Sequence, residues 1–173
     1  MSKAVLISIN PKWCELIASG KKTIEVRKTR PKLETPFKCY IYMTAGNASY
    51  PVVKNGKPYV CHNNGGREVI GEFVCDAIFP MLVEYSDPES RLALREFPFT
   101  CLTDKQIMDY LGNGKEGYGW HISNLVIYDK PKELSEFYSY NCGVKFEDGY
   151  PMPTHEIKRP PQSWYYVEKG GAE

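Results

Sequence analysis

The chain has no apolar run approaching the roughly 20 residues that a bilayer-crossing helix needs. Its start offers one lysine and a short apolar stretch, too brief for a secretory leader, so a cytoplasmic location is expected. Nucleophile elbow, P-loop, dinucleotide fingerprint and metal-ligand spacing are all missing. Those absences exclude nucleoside-triphosphate and redox-cofactor chemistry. Six cysteines are present without a C-x-x-C pair. Without a secretion signal they read as small buried thiols, with Cys39 and Cys75 in core strands. Cys61 and His62 are adjacent and so poorly placed to chelate one ion. His121 and His155 have no partner ligand at helical spacing. No metal and no cofactor is expected. Charge of one sign is also lacking, because the formal net charge is only +1.

That balance hides an asymmetry. Residues 1–33 carry eight Lys or Arg against two Glu, or +6, and the remainder of the chain sums to −5. A basic first segment on a neutral chain points to a local anion-binding patch rather than a general affinity for polyanions. Length and composition describe one water-soluble domain over residues 1–169 with a loose tail at 170–173.

The informative stretch is Gly20-Lys21-Lys22-Thr23-Ile24-Glu25-Val26-Arg27, a G-x-K-x-x-E-x-R pattern. Before it, residues 4–9 form an apolar strand. Asn10 is an N-cap and Pro11 a first helical residue. Trp13, Leu16 and Ile17 mark one apolar helix face, with Trp13 in the core. Gly20 is suited to the residue just past the helix end, where φ turns positive. Beyond it, strand alternation sends Ile24 and Val26 one way and Glu25 and Arg27 the other, opposite the core. Lys22 can swing to either face. Lys22, Glu25 and Arg27 are therefore expected to line one polar cleft beside the end of the first helix.

The rest reads as β-rich. Residues 38–44 alternate Cys39, Ile41 and Met43 against Tyr40 and Tyr42, a strand with two useful faces. Asn55-Gly56 is a two-residue hairpin signal. Residues 67–81 read as one long strand bent at Gly71. Leu102 to Ile107 opens a helix with Thr103 as N-cap, Gln106 completing a capping box and Gly112 as the stop. Residues 121–128 read as a strand, 129–137 as a short helix, 141–161 as a loop or ribbon, and 163–168 as a last strand able to close a barrel. Gly114, Gly117 and Gly119 around Tyr118 suggest backbone mobility or close approach.

The octet, with the preceding V-L-I-S-I-N-P-K-W-C-E-L-I-A-S-G, resembles the ASCH domain family. So do the later segments Tyr118-Gly119-Trp120-His121-Ile122-Ser123-Asn124-Leu125 and Arg159-Pro160-Pro161-Gln162-Ser163-Trp164-Tyr165-Tyr166-Val167. The resemblance covers nearly the whole chain and is to small phage and bacterial members. It implies an α+β fold, a PUA-like partly open β-barrel with short flanking helices. It also implies two competing functions. In the first, a cleft holds RNA or a single nucleoside or nucleobase. Lys21, Lys22, Arg27 and Arg30 meet phosphate, Glu25 accepts from a base amino group or fixes Arg27, and Trp120 with Tyr118 stacks on a ring. In the second, the domain is a small amidohydrolase acting on N4-acylated cytidine, or an RNA-cleaving enzyme, with Lys22 and Glu25 catalytic. The amidohydrolases carry a threonine where this chain has Glu25, which favours the binder.

Overall fold

A computed structural model describes residues 3–45, 48–54, 57–63, 66–83, 98–112, 115–140 and 155–168. Its elements are β1 (Lys3–Ile9), α1 (Pro11–Ala18), β2 (Ile24–Arg27), β3 (Phe37–Met43), β4 (Ala48–Lys54), β5 (Lys57–Asn63), β6 (Glu68–Cys75), β7 (Ile78–Val83), α2 (Asp104–Leu111), β8 (Lys115–His121), β9 (Ser123–Lys132) and β10 (Trp164–Glu168). Short 3-10 turns cover Pro98–Thr100 and Leu134–Glu136. Five strands form a mixed sheet in the order β10-β1-β3-β6-β9, and three form a second sheet, β2-β8-β7. Neither sheet closes on itself among the described residues. The architecture is a PUA-like α+β fold with a partly open barrel.

Side-chain parity explains the layering. On β1 and β3, Val5, Ile7, Ile9, Cys39, Ile41 and Met43 join one core with Cys14 and Ile17 of α1, Phe73 and Trp120. The alternate residues Ala4, Leu6, Tyr40 and Tyr42 pack on the opposite face with Phe137, Ile157 and Val167. The central strands are thus covered on both faces, which is why β1 reads as a continuous apolar run rather than an alternating one. A third cluster seats Ile107 and Leu111 of α2 on Val26 and Met81 of the second sheet. Burial pushes the thiols of Cys14 and Cys39 above their ordinary range, and that of Cys75 up to about 12.

The helix grammar holds in detail. Asn10 Oδ1 accepts from the Lys12 amide at 3.1 Å, and Pro11 opens α1. At the other end the Gly20 amide donates to Ile17 O and the Lys21 amide to Leu16 O, a Schellman closure with Gly20 at φ +72°. In α2 the Thr103 hydroxyl and Gln106 side chain form a reciprocal capping box. Lys54 pairs with Lys57, leaving two residues for the hairpin turn, although Asn55 and Gly56 themselves lie outside the described residues.

Several expectations need correcting. The single strand over 67–81 is two strands, broken at Asp76 and Ala77, so that β6 stays in the first sheet and β7 enters the second. The strand expected at 121–128 is likewise the junction of β8 and β9 at Ile122. Both breaks lie side by side, with the His121 amide donating to Ala77 O at 2.9 Å. Strand-like sequence on both sides of each break concealed them. Residues 129–137 extend β9 and add only a 3-10 turn. The last strand does not close a barrel; β10 is the edge beside β1. Residues 141–154, most of the expected ribbon, and the tail fall outside the described residues.

Gly117 and Gly119 are close-approach residues. A Cβ at Gly117 would lie 2.5 Å from Leu111, and one at Gly119 2.9 Å from Ile24. Gly71 is tighter in kind, because its Cβ would meet the Val126 carbonyl oxygen at 2.4 Å, where β6 slips register against β9. Backbone cannot rotate away as a side chain can. Gly71→Ala is therefore expected to cost about 2–3 kcal/mol. Gly20→Ala, with open space around it, should cost only the left-handed strain of roughly 1 kcal/mol. Urea denaturation of both variants checks the order; equal losses would contradict the packing account.

Candidate functional site

The Schellman turn at Gly20 delivers Lys22 at a fixed height beside β2. Two residues later the strand begins, and Glu25 and Arg27 project from it on one side. That side is interior. Lys22 is 2 % exposed, and Glu25 and Arg27 are each 6 % exposed. The charges lie opposite the Val26 packing face, as parity requires, yet they are enclosed and do not form a solvated strand surface.

Their partners are specific. Lys22 Nζ donates to Ile24 O at 2.8 Å and Thr100 O at 2.7 Å, and lies 3.2 Å from Glu25 Oε2. An ammonium has three hydrogens, and here each has an acceptor. Arg27 Nη2 lies 2.6 Å from Ser8 O and 3.0 Å from Glu25 Oε1. Its Nη1 makes longer contacts with Ser163 O and Oγ, at 3.4 and 3.3 Å. Arg27 Nε is buried with no hydrogen-bond acceptor. Glu25 joins the two cations, one through each oxygen. Arg27 and Lys22 thereby tie β2 to the end of β1, the approach to β10 and the 98–100 turn.

The cluster forms part of the wall of a cavity of about 290 Å³, lined also by Ser8, Asn10, Trp13, Val26, Leu102, Gln106 and Tyr110. Trp13 comes from α1, and Gln106 and Tyr110 from α2. The cavity sits between the two helices, over one end of β2. The expected polar cleft is thus present, and Lys22, Glu25 and Arg27 line it together.

The other expected residues do not join them. Trp120 is 0 % exposed; it packs edge-on against Phe37 and tilted against Trp164, and has no ring face to offer a ligand. Its strand pairs with β2 on one side and β7 on the other, which the expectation of a stacking role missed. Arg30 stacks over Tyr118 at 5.7 Å and borders a separate cavity with Pro31, Lys32 and Glu34. Lys21 is exposed and outside the cavity lining. Trp13, expected in the core, is half-buried and contributes to the cavity wall, with Lys12 Nζ 4.8 Å and Lys22 Nζ 5.5 Å from its ring centre. Tyr110, Gln106 and Leu102 were not foreseen. Helix α2 is some eighty residues from the motif, and no local pattern says where it docks.

Among solved structures the chain matches the ASCH protein of Zymomonas mobilis, with a TM-score of 0.61 at 21% identity, over 96% of this chain and 88% of that one. A serine-to-alanine variant of the same protein gives 0.62 at 20% identity over 96% and 89%. A tyrosine-to-phenylalanine variant gives 0.62 at 20% over 97% and 92%. The fold is that of an ASCH domain. No protein-family profile and no curated protein matches the sequence. Within this ASCH fold no group of three or more His, Cys, Asp or Glu could hold a metal among the described residues. No helix of the described residues is long and apolar enough to cross a membrane.

The cluster's charge balance gives a sharp expectation. Glu25→Gln leaves two cations buried without their shared anion and should cost about 3–5 kcal/mol. Lys22→Met frees the carbonyls of Ile24 and Thr100 but keeps a one-to-one Glu25–Arg27 pair. In a double-mutant cycle the combined variant should be more stable than the sum of the singles by about 1–3 kcal/mol. Additive losses would show that Lys22 and Glu25 are not coupled.

Proposed function

We propose that this ASCH domain is a binder of a nucleobase-bearing ligand, seated in the cavity between α1 and α2. The reading rests on one observation above others. The Lys22 ammonium has all three hydrogens committed, to two carbonyls and to Glu25. With every N–H directed at a protein acceptor, the nitrogen is poorly arranged to serve as a base. The same saturation holds Lys22 away from phosphate. Its role is to position Glu25.

Glu25 is the recognition group. Each oxygen of its carboxylate meets one cation, and a carboxylate has about four acceptor sites. The remaining capacity suits an amino or ring N–H edge, the donor pattern that carboxylates read on cytosine. Trp13 and Tyr110 supply rings for stacking. The volume is near the small end for ligand pockets, about 300–1,000 Å³, and fits a base or nucleoside rather than a folded RNA.

The hydrolase alternative needs a nucleophile or a free base. Ser8 Oγ in the cavity donates to Pro161 O at 2.7 Å, and Thr100 Oγ1 accepts from the Leu102 amide. Neither hydroxyl is paired with a base among the described residues.

Calorimetric titration of the four nucleosides tests the reading. At least one carrying an amino group should bind, and Tyr110→Ala should weaken it by about 1–3 kcal/mol if the ring stacks. Tyr110 is partly exposed, so this variant should fold. Hydrolysis of N4-acetylcytidine by the purified protein would overturn the binder reading. Absence of any nucleoside binding would remove the base pocket altogether.

A further inference from the structure

The cavity has more positive charge than its own carboxylate neutralises. Lys22 and Arg27 face one Glu25, all three nearly buried, and no other cavity-lining residue among the described ones is acidic. The enclosed group therefore keeps a net charge of +1, with Arg27 Nε still lacking an acceptor. Two further cations stand at the aromatic walls. Lys12 Nζ is 4.8 Å from the Trp13 ring centre, and Lys28 Nζ is 5.3 Å from that of Tyr110. Both lysines are exposed, and neither has a carboxylate partner among the described residues. Among the described residues one anion thus answers two cations of the cavity wall and two more at its aromatic rings.

Building on the base-pocket reading, we propose that the ligand is a phosphate-bearing nucleotide and that Lys12 and Lys28 are its phosphate contacts. A neutral base or nucleoside would leave the surplus charge uncompensated, whereas a phosphate offsets it. The placement fits. A base that stacks on Trp13 or Tyr110 brings its own phosphate within reach of the lysine already at that ring. Lys12 belongs to α1, and Lys28 directly follows β2, so the two cations stand at the two rings from different elements. Aromatic rings with adjoining cations are the arrangement by which single-stranded nucleic acids are held. The free nucleotide and the end of a strand share this chemistry.

The test compares nucleosides, their 5′-monophosphates and trinucleotides by calorimetry at low salt. Monophosphates should bind at least about tenfold tighter than the matching nucleosides, with an advantage that shrinks as salt rises. Lys12→Ala with Lys28→Ala should remove that advantage and lower the salt slope by about one to two. Lys130→Ala, an exposed lysine on β9, is the control and should retain it. A trinucleotide that binds tighter than the monophosphate identifies a strand, and equal binding identifies the free nucleotide. Nucleosides that bind as well as monophosphates would overturn the phosphate proposal and leave the base pocket standing. A phosphate advantage that survives loss of both lysines would also overturn it. Absence of binding by every probe would sink both readings.

Discussion

One carboxylate between two cations organises this end of the molecule. Glu25 meets Lys22 through one oxygen and Arg27 through the other, and all three residues are nearly buried. Burying three charges is costly, and replacement of such triads by apolar residues is often neutral or stabilising. Net stability is therefore a weak reason for its presence. Its geometry is informative, because each cation also grips backbone from a distant segment. Lys22 holds the Thr100 carbonyl, and Arg27 holds the Ser8 carbonyl and touches Ser163. Three stretches of chain remote in sequence are fastened to β2 and the residue leading into it.

The fastening shapes the cavity. The Thr100 contact anchors the segment that leads into α2, and so helps set where Leu102, Gln106 and Tyr110 stand. The Ser8 contact fixes the end of β1, from which Asn10 and Trp13 follow. The charged residues are therefore wall and frame at once. An active-site lysine needs an uncommitted nitrogen, and a phosphate-binding lysine needs free N–H groups. Lys22 has neither to spare. The groups left for the proposed ligand are the spare acceptor capacity of Glu25, the rings of Trp13 and Tyr110, and the exposed ammonium groups of Lys12 and Lys28.

A similar division runs through the rest of the fold. Small residues appear where elements press together. Gly117 admits Leu111 of α2, Gly119 admits Ile24 of β2, and Gly71 admits the β9 backbone. The second sheet could not carry α2 on one side and the charged cluster on the other without these close approaches. Its middle strand, β8, is the one whose glycines suggested either mobility or close contact, and contact is what Gly117 and Gly119 provide.

Local grammar was legible residue by residue, because it depends on neighbours in sequence. The Asn10 cap, the Pro11 start, the Schellman turn at Gly20, the Thr103–Gln106 box and the parity of Glu25 and Arg27 all follow from chain chemistry within a few positions. The two faces of β3 follow in the same way. Burial of the charges did not, since strand parity sends a side chain to a face without saying what covers that face. Trp120 and Trp13 exchanged roles for the same reason. A tryptophan on a glycine-rich strand became core when β2 and β7 flanked it, while one on an amphipathic helix came to line the cavity once α2 stood opposite. The breaks at Asp76 and Ile122 were hidden because strand-like sequence lies on both sides of each, and only the pairing of two sheets requires the chain to switch there. Partners drawn from residues eighty or more positions away are chosen by packing, and packing is decided by the whole chain at once.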